Sequence, residues 1–252
     1  MQPIPASTTP ISFVSTSLSS PNSPVLSSPV TIEYSFRNLI ELTIGFAAIL
    51  GVLWLPTRQQ LIFGPIALLG PLVVVMLNRP TWRDLGLGWR EFLSSFWVLL
   101  AAIGLAFASV FAAKALGIFH ALYAPDLAHV GGYVLWTVYQ QFLLQDYFMP
   151  RLTRIFSSDR AIVVAGVLFA VAHLPNLSLA LATLVWGALS CWLFRRYRSL
   201  YVVGLAQGIL GLCFAVCVPD AMHHHMRVGL GYLRYHAVQA SHYSRYPSAP
   251  AR

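Results

Sequence analysis

Gln140, Gln141, Gln145, His173 and Gln207 stand inside long apolar runs, where a polar side chain is costly unless it bonds to something. The first group reads Trp136-Thr137-Val138-Tyr139-Gln140-Gln141-Phe142-Leu143-Leu144-Gln145-Asp146-Tyr147. Gln141 and Gln145 are four residues apart and share a helix face, with Gln140 beside them. The second group is Phe169-Ala170-Val171-Ala172-His173, broken at once by Leu174-Pro175-Asn176. The third is Gly204-Leu205-Ala206-Gln207-Gly208-Ile209-Leu210-Gly211. Amides donate and accept hydrogen bonds, and an imidazole can also take a proton. On residue type alone these are neutral amides with one imidazole among them, each a functional candidate because a polar group in hydrocarbon is costly. The same residue types also serve as packing glue between helices.

The elements that must position these groups are membrane helices. With 57% hydrophobic and 10% charged residues and a mean hydropathy of +0.67, the chain lacks the polar surface of a water-soluble globule. About 20 apolar residues in helix cross a bilayer core of about 30 Å. Runs of that kind fall near 38–56, 60–77, 94–118, 131–149, 160–174, 177–194 and 199–218. The reading is an all-α, multi-pass transmembrane bundle of about seven spans, with six or eight also compatible. Arginines set its orientation, because short positive loops stay on the cytoplasmic side. Arg37, Arg79, Arg83, Arg90, Arg151, Arg154, Arg160, Arg195, Arg196 and Arg198 fall on one side, and Arg58 with the tail arginines falls on the other. An N-terminus inside and a C-terminus outside are expected, so the +8 formal charge reads as a topology signal and not as a nucleic-acid surface. Counted inward from the arginines at about 1.5 Å per residue, Gln140, His173 and Gln207 lie about 15, 19 and 12 Å deep. Three helices thus bring polar groups to one level, which implies a polar pocket near the bilayer middle.

Residues 1–32 are rich in Ser, Thr and Pro and read as a flexible leader ahead of a membrane domain over 33–219. Residues 220–252 read as a short basic tail rich in His and Tyr, with His223, His224 and His225 solvated on it. Cys191, Cys213 and Cys217 fall in spans and read as packing residues, and no metal-ligand set or cofactor motif is evident. Asp146 reads as an interfacial acid near Arg151 or Arg154, turned away from Gln140, and Glu41 as an acid at the start of the first helix. Gly204 and Gly208 form a GxxxG step that Gly211 extends, a face for close helix approach.

On these residues the chain resembles the CAAX prenyl protease and bacteriocin-processing family, over roughly residues 80–215. The family pattern is Glu-Glu-x-x-x-Arg, then Phe-x-x-x-His, then His-x-x-x-Asn, on successive membrane helices. Phe169 and His173 match the second motif. Gln140 and Gln141 stand in place of the two glutamates, Gln145 in place of the arginine, Gln207 in place of the third-motif histidine and Gly211 in place of its asparagine. Thr81-Trp82-Arg83-Asp84-Leu85-Gly86-Leu87 and Phe148-Met149-Pro150-Arg151-Leu152 resemble the sequences that flank the first motif.

The resemblance implies an intramembrane endopeptidase in which His173 activates water, Gln140 and Gln141 position groups, and Gln207 donates to the oxyanion; metal use in the family is disputed. Gln145, Phe169, Asn176, Gly204, Gly208 and Gly211 would shape the pocket. A glutamine amide cannot serve as a general base near neutral pH, however. The alternative implied by that loss is an inactive relative that binds a membrane peptide, a lipid or a partner protein. Expected partners are membrane lipids and a membrane-anchored or lipidated peptide or protein, with no nucleic acid, in a bacterial plasma membrane.

Overall fold

The computed structural model describes residues 29–122 and 126–235, and among them every regular element is helical. The order is α1 (Pro29–Trp54), α2 (Thr57–Leu77), α3 (Trp89–Ala115), α4 (Leu127–Phe142), a π segment (Leu143–Phe148), α5 (Met149–Ile155), α6 (Ser158–Val171), α7 (Leu177–Tyr197), α8 (Leu200–Cys217) and α9 (Asp220–His223), followed by a 3-10 turn (His224–Met226). Five of the described helices are long and apolar enough to cross a membrane: Phe36–Trp54 within α1, and α2, α3, α7 and α8. The expected fourth span is α4, the π segment and α5 running on as one bent unit, and the expected fifth is α6, whose 14 residues are short for a full crossing. Residues 1–28 of the expected leader lie outside the described residues, and α1 already begins at Pro29.

Local sequence sets the helix ends. Asp126 caps α4 by accepting from the His129 backbone N–H at 3.0 Å, and Asn176 caps α7 by accepting from that of Leu179 at 3.2 Å. Helix α3 closes where Gly117 takes a left-handed φ of 70°, with Gly117 N–H donating to Lys114 and Ile118 N–H to Ala113. The π turn lies just before Pro150, which has no N–H to donate back along the helix.

Lipid supplies no hydrophobic drive between helices, so close packing and interhelical hydrogen bonds must hold the bundle. Helix α6 meets α7 through small residues: a Cβ added at Gly187 would stand 3.1 Å from the Cα of Gly166. Helix α8 meets α4 likewise, where a Cβ at Gly204 would stand 2.8 Å from Val138 Cα and one at Gly208 3.1 Å from Thr137 Oγ1. Thr137 also donates across that seam to the Gly204 carbonyl at 3.0 Å. The GxxxG step is a packing seam for α4. Helix α2 packs chiefly on α1. Its Pro71 leaves the Ala67 carbonyl without a helical donor, and the Tyr139 hydroxyl of α4 donates to Ala67 and Leu68 instead.

The two ends of the bundle differ. At one, Arg198 donates to the Asp84 carbonyl, Leu200 N–H to the Gly86 carbonyl at 2.8 Å, and Arg195 to Ser158 at 2.6 Å. Arg151 reaches Glu41 at 2.7 Å, and Arg154 reaches Asn38 at 3.2 Å. Glu41 is therefore no helix-opening acid. It lies well inside α1 and ties that helix to α5, with Arg37 at 2.9 Å as a second partner. At the other end, His120 N–H donates to the Val216 carbonyl at 3.1 Å and Gly229 N–H to the Leu174 carbonyl at 2.8 Å.

The segment after Pro219 folds back on that second end. Asn176 Nδ2 donates to the His223 carbonyl at 2.7 Å and to that of Arg227 at 3.1 Å, and Ser178 donates to the Met222 carbonyl at 2.7 Å. His223 and His224 are buried, which corrects the expectation of solvated histidines. The Leu174-Pro175 break frees backbone groups that this returning segment pairs, so the tail up to residue 235 belongs with the bundle.

Candidate functional site

The four glutamines form one hydrogen-bonded chain. Gln145 Nε2 donates to Gln141 Oε1 at 2.9 Å, Gln141 Nε2 to Gln207 Oε1 at 2.6 Å, and Gln207 Nε2 to Gln140 Oε1 at 2.6 Å. Its direction is fixed by a residue that the sequence reading passed over. Trp186, near the midpoint of α7, donates its indole N–H to Gln207 Oε1 at 3.1 Å. An indole nitrogen only donates, so that atom of Gln207 must be the carbonyl oxygen, and each amide along the chain is then oriented in turn. Gln141 and Gln145 are fully enclosed, Gln207 is buried, and Gln140 is half-buried at the cavity wall.

Two residues at the closed end of this chain hold polar atoms without a partner among the described residues: Gln145 Oε1 and the neighbouring Asp146 Oδ2. Gln145 Nε2 also lies 3.4 Å from Ser190 and 3.6 Å from the Cys191 sulfur. Asp146 is buried in the π segment and pairs with neither Arg151 nor Arg154, contrary to the interfacial placement expected for it. A π turn is wider than an α turn and shifts the residues after it around the axis, which an α-helical reading of this stretch misses.

His173 joins the site from the end of α6. Its Nδ1 lies 2.7 Å from the Phe169 carbonyl and must donate to it, so in the neutral ring the lone pair sits on Nε2. The Phe169 ring meets the imidazole edge-on at 4.8 Å. His173 and Gln140 both line two neighbouring cavities, of about 600 Å³ and about 400 Å³, together with Trp136 and Val228. The larger is walled by α1, α2, α4, the π segment and α6, and the smaller by α4, α7, α8 and Met226. Phe169 lines the larger cavity, while Gln207 and Gly211 line the smaller. Asn176 is fully buried away from both, capping α7 and anchoring the returning segment. Gly204 and Gly208 lie in the α4–α8 seam.

Among the described residues, no group of three or more His, Cys, Asp or Glu could hold a metal ion. The amide oxygens beside His173 are neutral and already accept hydrogen bonds, a poor donor set for a divalent cation. The residues present do not fit a metal centre.

A helical membrane bundle in which α4, α6, α7 and α8 bring the amide chain and His173 to the walls of largely apolar cavities is consistent with a CAAX-protease-type integral membrane protein. The family model described as type II CAAX prenyl endopeptidase, Rce1-like, matches residues 127–213. The match begins with α4 and ends inside α8, so it contains the four hydrogen-bonded glutamines together with Trp186 and His173. It covers roughly a third of the sequence and leaves out α1 to α3 and the returning segment. No curated protein and no solved structure matches the chain.

Proposed function

We propose that this chain is a catalytically silent Rce1-like membrane protein that captures a membrane ligand in its cavity without cutting it. The observation that carries this reading is the chain of glutamines pinned by Trp186. It occupies the positions where the family's glutamates, arginine and third-motif histidine stand, and neutral amides cannot take the proton of an attacking water. The ligand would be a lipid or a membrane-anchored or lipidated peptide or protein. The arginine-rich end faces the cytoplasm of a bacterial cell in this proposal, so a reporter fused after Arg198 should read as cytoplasmic and one after His225 as external.

One observation favours a second reading, a variant peptidase. His173 holds its Nε2 lone pair open to the cavity, where it could activate water, with Gln140 as a positioning amide and Gln207 near the oxyanion. The two readings part on a direct assay. Purified protein in lipid is incubated with membrane-anchored peptides and the products are read by mass spectrometry. Retention without new termini supports the silent reading; cleavage that disappears in His173→Ala establishes the peptidase.

A further inference from the structure

Where the two cavities meet, the wall is formed by Trp136, Gln140, His173 and Val228. Gln140 Oε1 accepts from Gln207, which leaves Gln140 Nε2 as the donor that this side chain offers to the cavity wall. His173 Nδ1 is occupied by the Phe169 carbonyl, so Nε2 is left as an acceptor. The Trp136 side chain lines the same place. A donor carried by α4 and an acceptor carried just past the end of α6, both lining the neck between the chambers, are what one trans secondary amide requires, since its carbonyl and its N–H point in opposite directions. Its carbonyl oxygen can accept from Gln140 Nε2, and its N–H can donate to His173 Nε2.

Beyond the neck the larger chamber offers no further polar partner. Phe46, Ile49, Leu68, Leu144, Phe148 and Leu168 are typical of its wall, and the one other polar side chain, Tyr139, already donates to Ala67 and Leu68. A peptide carries an amide every 3.8 Å or so along the chain. Its second amide would enter this chamber and lose water without gaining a partner. A hydrocarbon chain has no such group, and about 600 Å³ lies within the range of about 300–1,000 Å³ for ligand sites. The smaller chamber is more polar, but Thr183 donates within α7, and Trp186 and Gln207 are engaged in the amide chain, which leaves the Tyr133 hydroxyl for one head-group contact.

We infer that the cavity binds an N-acyl amphiphile, with its single secondary amide held between Gln140 and His173, its acyl chain in the larger chamber and its small head group in the smaller one. This rests on the silent reading only in that the amide is held and not hydrolysed. The source is the bilayer itself, since the larger chamber is bounded by α2, whose outer face is apolar. Trp186 acts as a positioning residue, because it is what forces Gln140 to present nitrogen and not oxygen.

The test uses the full chain in lipid nanodiscs and three ligands of equal length: N-butylhexadecanamide, its N-methyl tertiary amide, and butyl hexadecanoate. Displacement of a fluorescent acyl amide reports binding, and mass spectrometry reports any hydrolysis. The secondary amide should bind about tenfold more tightly than either analogue, the range expected for a lost hydrogen bond. His173→Phe should level all three ligands while the acyl chain still binds, and Trp186→Phe should reduce the preference. Equal binding of the three ligands to the native chain overturns the inference and leaves the silent reading standing. Tighter binding by an apolar peptide than by the acyl amide also overturns it. Amide binding with hydrolysis instead overturns the silent reading and keeps the amide site.

Discussion

The Glu41–Arg151 pair and the chain of four glutamines are both enclosed polar clusters, and they solve opposite problems. Arg151 is 6% exposed and Glu41 24%, at the arginine-rich end where water reaches one partner. There Arg151 donates twice to Glu41, at 2.9 and 2.7 Å, and once to the Tyr147 carbonyl at 2.6 Å, while its guanidinium covers the Tyr147 ring at 4.0 Å. Gln207 lies near the midpoint of α8, and Gln140, Gln141 and Gln145 near the middle of the continuous unit of α4, the π segment and α5, where an ion would be costly. Paired charges are used where water reaches one partner, and in this chain the polar connection between α4 and α8 is made by neutral amides.

That contrast can be broken at either cluster. Arg151→Ala should have the largest effect, about 3–4 kcal/mol of lost stability, because it removes the charge-assisted hydrogen bonds to Glu41 and the Tyr147 carbonyl and unties α1 from α5, although Arg37 stays with Glu41. Thermal unfolding in detergent would register it, and a change below about 1 kcal/mol would mean that the pair is ornamental. Gln141→Leu should cost less, about 1–3 kcal/mol, since it leaves the Gln145 amide without its main acceptor but removes no charge-assisted bond. The same unfolding assay applies, and a loss equal to that of Arg151→Ala would erase the distinction between the clusters. The smallest effect is expected at the histidine-rich end. Burial holds the His223 imidazole below its ordinary value, against the pull of Asp220. The undocked segment then binds more protons than the docked one, so docking is fully favoured above about pH 6.5 and weakens as the pH falls below it. The protection of amides 219–235 against hydrogen exchange, relative to their intrinsic rates at each pH, should fall from about pH 7.5 to about 5.5, and should lose that dependence in His223→Gln.

Much of this architecture is legible in the sequence because it depends on local pattern. Apolar runs give the helices, the four-residue spacing of Gln141 and Gln145 gives their mutual bond, and Gly204 and Gly208 give the seam. What the sequence hides is pairing over distance. Glu41 finds Arg151 across 110 residues, and Asn176 finds the carbonyls of His223 and Arg227. Trp186 reads as one more apolar helix residue until Gln207 is seen beside it. Pro71 does carry a readable signal, since it must leave the Ala67 carbonyl free, though nothing local names Tyr139 as the group that takes it. The π turn is the subtlest case: Pro150 marks a disturbed helix, but the burial of Asp146 follows only from how the turn is wound.

The most direct test is to restore the charges. Gln140→Glu, Gln141→Glu and Gln145→Arg must be joined by Gln207→His, because the carbonyl that Trp186 pins would otherwise face a carboxylate. Native chain and variant, reconstituted in the same lipid, are compared for cleavage of membrane-anchored prenylated peptides. The expected result is cleavage by the variant, abolished by His173→Ala, and none by the native chain. Cleavage by the native chain as fast as by the variant would contradict the claim that the amides silence the site.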